Sequence, residues 1–162
     1  MTGPQANRAT PPRLTVAAWP DPVIEAHGHR PGSPYVEAVW LGVLGPSATW
    51  AWQRLARLAT VRAGVTIDSV DLATSLGLGD GLGANAMISR TLGRLVAFGV
   101  AQRSEEVIAV RTALPDLPAR RAARLSASAR LAHERLGQSR PPAWPAASSA
   151  TVEHASPVGV SL

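Results

Sequence analysis

The sequence predicts a mainly α-helical fold carrying one small β-hairpin, and three observations lead there. Residues 69–77 open with capping types, hold Leu72, Ala73 and Leu76 at helical spacing, and stop at Gly77. After a glycine-rich run, Gly77 to Gly83, the segment 86–98 repeats Ile88, Leu92, Leu95 and Val96 with helical period, and Gly99 closes it. Residues 100–111 then alternate as two short strands about Ser104-Glu105-Glu106. Helix, turn, helix and hairpin in that order predict a winged helix-turn-helix, a fold whose second helix commonly enters the DNA major groove.

The other elements follow in order. Residues 1–33 are rich in Pro, Gly and small polar types without sustained period, and predict a disordered arm. Arg8, Arg13 and Arg30 place charge on it, as basic arms that brush phosphates do, although most such tails only solubilise. Residues 34–44 place Val36, Val39, Trp40 and Val43 on one side of a short helix, with a strand as the alternative for so many β-branched residues. Gly45-Pro46 breaks it. Ser47 is the expected cap of a longer helix over 48–62, whose stripe is Trp52, Leu55, Ala56, Ala59 and marginally Trp50, with Ala63-Gly64 as its stop. Val65-Thr66-Ile67 is a short strand, and Asp68 or Ser69 caps the helix after it. Beyond Pro118, residues 119–136 predict one helix with Leu125, Ala129, Ala132 and Leu136 inward and Arg120, Arg121, Arg124, Arg130 and Arg135 outward. Residues 138–162 return to tail composition. The expected organisation is an arm at 1–33, a winged-helix domain at 34–137 and a disordered tail at 138–162.

Composition narrows the function classes. In 162 residues, 16 basic side chains face 11 acidic ones, a net +5, and every basic residue is Arg. GC-rich coding explains that bias as well as function does, but arginine also suits phosphate and guanine by bidentate bonding. There is no Cys, which excludes thiolate metal sites and a cysteine nucleophile. No apolar run is long enough for a signal core or a bilayer span, so the expectation is a cytoplasmic protein with no membrane partner.

Enzyme chemistry finds little footing. The four His lie in the tails or on the last helix, and Asp68 and Asp71 sit where a helix dipole accounts for them. His27-Gly28-His29 with Glu25 resembles a metal clip superficially, but lacks further ligands. The run G-x-G-x-x-A from Gly79 to Ala84 follows a helix rather than a strand, which rules out a dinucleotide fingerprint. No cofactor, metal or catalytic residue is expected.

DNA contact is the remaining assignment. Asn85 is the expected cap of the 86–98 helix. A helix docking amino end first offers Asn85, Ser89 and Arg90 to base edges and Arg94 to a phosphate or a deeper base. Arg103 and Arg111 flank a hairpin whose tip, Glu105-Glu106, repels phosphates, and they offset part of that charge.

The run from Met87 to Arg103, MISRTLGRLVAFGVAQR, resembles the recognition-helix signature of MarR-type regulators: Ser89-Arg90, Arg94-Leu95, Gly99 and Arg103 stand in register with it. The resemblance extends over about forty residues once Leu72-Ala73 and the hairpin are included. It implies sequence-specific binding of double-stranded DNA by a two-fold dimer, formed through helices 34–44 and 118–136, acting in transcription regulation. It implies DNA contacts from Asn85, Ser89, Arg90 and Arg94. The acidic wing and the lengthened glycine turn depart from the family pattern. Beyond this window the chain also resembles uncharacterised proteins of GC-rich bacteria. The competing class is a winged helix that holds another protein and binds no specific DNA.

Overall fold

The computed structural model describes residues 8–138, which form a mixed α/β chain with a small four-stranded sheet. Strand β1 (Arg13–Ala18) is followed by helix α1 (Pro22–His27). A π-helical turn, Val36–Trp40, runs into α2 (Leu41–Leu44). Then come α3 (Pro46–Val61), β2 (Val65–Asp68), α4 (Ser69–Ser75), α5 (Met87–Ala97), the β3–β4 hairpin (Ala101–Arg103 and Val107–Val110), α6 (Ala119–Ala122) and α7 (Ala127–Gln138).

The expected disordered arm is corrected by β1. The sheet order is β2-β1-β4-β3, so this strand lies inside the sheet, antiparallel to β2 and parallel to β4. Its alternation explains the position: Leu14 and Val16 are fully buried while Arg13 and Ala18 point outward. Pro11, Pro12 and Pro20 flank the strand rather than interrupt it, and therefore remove no ladder donor. Asp21 then caps α1 by accepting from the Ile24 amide at 3.2 Å, with Pro22 in the first turn. Gly28 is required by close approach, since a Cβ there would stand 2.4 Å from the Ile24 carbonyl oxygen and 2.8 Å from that of Leu114. Residues 8–33 are thus part of the domain expected at 34–137, and residues 1–7 of the expected arm lie outside the described residues. The expected tail lies outside the described residues apart from Gln138, the last residue of α7.

Other boundaries shift for local reasons. Gly45, at φ +82°, is the residue before α3, and Ser47 sits inside the first turn instead of capping it. The predicted stripe of Trp52, Leu55, Ala56 and Ala59 is buried, whereas Trp50 is 59% exposed. Asp68 caps α4 through the Asp71 amide at 2.9 Å. The helix expected over 119–136 is two, because Ser126 accepts from the Ala129 amide at 3.3 Å and so starts α7 afresh. The apolar side of 34–44 (Val36, Val39, Trp40 and Leu44) is buried within the chain, and Trp40 donates its indole N–H to the Pro115 carbonyl at 2.9 Å. That burial leaves only the rim of this helix for the expected dimer contact.

Candidate nucleic-acid interface

Helix α5 is fastened along its apolar side and at its carboxyl end. Ile88, Leu92 and Leu95 are fully buried, and α5 packs on α3 and β3. Its carboxyl end closes with Gly99 at φ +69°, the Gly99 amide donating to Val96 and the Val100 amide to Leu95 at 2.9 Å. At its amino end the cap position is Ala86, with no side-chain hydrogen bond. Asn85 is exposed beside it and is not the cap.

The six sequence-assigned residues divide sharply. Ser89 is fully buried: its Oγ lies 2.8 Å from Thr10 Oγ1 and donates to the Leu82 carbonyl at 3.2 Å. It therefore cannot reach a base edge. The cause is the N-terminal segment, whose Thr10 covers this side of α5 and leaves a narrow exposed strip of Met87, Arg90, Arg94 and Ala97. Arg90 projects outward on that strip with no side-chain partner among the described residues. Arg94 is also exposed, but its Nε donates to the Leu44 carbonyl and its Nη2 to that of Val43 at 2.9 Å. Those are the last carbonyls of α2, so Arg94 caps that helix end and is held back from bases.

Both hairpin arginines face the protein. Arg103 donates to the carbonyls of Arg8 at 3.2 Å and Ala9 at 2.8 Å, and burial, then the nearby Arg8 charge, pulls its pKa down from the usual arginine value. Arg111 pairs with Asp21 at 2.7 Å, donates to the Gly99 carbonyl at 2.9 Å and stacks 3.9 Å over Trp19. Glu105 and Glu106 remain exposed at the hairpin tip. The hairpin tip thus presents negative charge.

The strip on α5 forms one wall of a groove of about 580 Å³, and the amino end of α3 forms the other. Arg90 and Arg94 line it together with Met87, Gly45, Ser47 and Phe98, and no acidic side chain does. The first turn of α3 carries no acidic residue and no side-chain cap, which leaves the positive end of that helix facing the same space.

The sequence reading missed Phe98. This only phenylalanine of the chain lies between two guanidinium groups, Arg94 at 4.9 Å and Arg121 at 4.5 Å from the ring centroid. It connects α5 to Arg121 of α6, one of the arginines expected to form only outer charge on the last helix. A lone aromatic at a helix end was the available signal.

A separate polar cluster joins distant segments. The Tyr35 hydroxyl accepts from the Leu117 amide at 2.9 Å and lies 2.6 Å from His133 Nδ1, and burial raises its pKa. His29 stacks on Tyr35 at 3.7 Å and meets Asp116 at 2.6 Å. His133 thereby fastens α7 to Tyr35.

No family model, curated protein or solved structure matches this chain. No helix among the described residues is long and apolar enough to cross a membrane.

Proposed function

We propose that this chain is a winged-helix DNA-binding protein, a transcriptional regulator that presents the exposed strip of α5 to duplex DNA. The observation that carries the reading is Arg90, exposed and unpartnered among the described residues, in a groove lined by no carboxylate. The order α3, β2, α4, α5, β3, β4 supports it, because it matches the helix-strand-helix-helix-hairpin sequence of winged helices. The acidic tip and the inward arginines of the hairpin remove the wing from the contact. Base contact then falls to Arg90 and the exposed Asn85, with Arg94 contributing charge from its fixed position.

Fluorescence anisotropy on labelled genomic fragments tests this. The wild type should prefer some fragments over random duplex, and Arg90→Ala should weaken that binding roughly tenfold, the usual value of one good arginine–base contact. Binding to no fragment better than random duplex overturns the regulator reading and favours a protein-holding winged helix.

A further inference from the structure

Three arginines outside the α5 strip converge on one place. Arg120, Arg121 and Arg124, from α6 and the turn after it, line a single concavity of about 450 Å³. Like charges gathered there repel one another, and nothing acidic lines the space. Neither Arg120 nor Arg124 has a side-chain hydrogen bond or ion pair among the described residues. Arg121 is half-buried, stacked on Phe98, and its Nη1 is shielded from solvent without a hydrogen-bond partner. A buried guanidinium N–H left unpaired is costly, so Arg121 adds an unrelieved charge beside Arg120 and Arg124.

We propose that this concavity is a phosphate-binding site. A phosphate offers several acceptor oxygens and a charge that relieves the mutual repulsion, and guanidinium forks match its geometry. The phosphate belongs either to a nucleic-acid backbone or to a free anion. On the DNA reading, which this site extends without depending on it, Phe98 links the α5 groove to the site, and the duplex backbone reaches from one to the other.

The test compares the wild type with Arg120→Gln/Arg124→Gln, which leaves Arg121 and its stack on Phe98 in place. Thermal melting is followed with inorganic phosphate against sodium chloride of equal ionic strength, and duplex DNA binding is followed against salt. Phosphate should raise the wild-type melting temperature above the chloride control, and the double variant should lose that rise. The variant should also reduce the slope of log K against log salt by about 0.9 for the one phosphate released. A reduced slope without stabilisation by free phosphate supports the site and identifies the backbone as its source. Stabilisation by phosphate in a protein that binds no duplex supports the site while the DNA reading fails. No stabilisation relative to chloride, together with an unchanged or absent DNA slope, overturns the proposal.

Discussion

Arginines of the hairpin and arginines of the α5–α6 face have identical chemistry and opposite fates. Arg103 and Arg111 are drawn inward, one to the carbonyls of Arg8 and Ala9, the other to Asp21, Gly99 and Trp19. Arg90, Arg120 and Arg124 point outward without partners among the described residues. The difference originates in residues 8–21, which run beside the hairpin and supply its arginines with acceptors, whereas on the other face Arg94 is tied to the end of α2 and Arg90, Arg120 and Arg124 are left without acceptors. Charge alone therefore does not identify a binding surface. What matters is whether the fold has already satisfied the charge.

The comparison breaks most readily at β1. Leu14→Ala should cost about 3 kcal/mol in urea unfolding, as a fully buried leucine in a central strand does. A loss below about 0.5 kcal/mol is what a dispensable arm would give, in conflict with the strand's place in the sheet. Arg111→Ala comes next, with a smaller loss by the same measurement, because it removes the donor to the Gly99 carbonyl and one of the two donors to Asp21.

Asp21 sharpens the inward half of the contrast through pH. The Ile24 amide and then Arg111 hold its carboxyl below the ordinary value of 3.8. A lowered pKa in the folded state stabilises fully above the unfolded value and is lost as pH falls through the folded one. The stability gap between wild type and Asp21→Asn should therefore stay level from pH 7 to about pH 5 and narrow on acidification below about pH 4. A gap that persists unchanged to pH 2 would contradict this assignment. Smallest of all, Arg90→Ala should shift stability by no more than about 0.5 kcal/mol, since its guanidinium holds nothing in place. A large loss of stability there would mean that Arg90 is a structural residue.

Much of this architecture was legible in the sequence. The α4–α5–hairpin order, the stop at Gly99 and the inward stripe of α3 all rest on local periodicity and glycine chemistry, which act within a few residues. The strand at Arg13–Ala18 was not legible, because seven residues between prolines resemble a linker until β2 and β4 are there to pair with them. Ser89 was misassigned for the same reason: Thr10, the residue that buries it, lies 79 positions away. Helical spacing located Arg94 on the outer arc, but its attachment to the end of α2 is a tertiary contact. The stack of Arg121 on Phe98 likewise required α5 and α6 to meet.

Binding of the wild-type chain to duplex DNA across a salt series tests the outward-facing arginine surface most directly. The α6 site alone calls for a slope of log K against log salt of about −0.9 or steeper, one phosphate neutralised. A slope near zero, or no binding at low salt, would contradict a phosphate-facing surface on this side of the molecule.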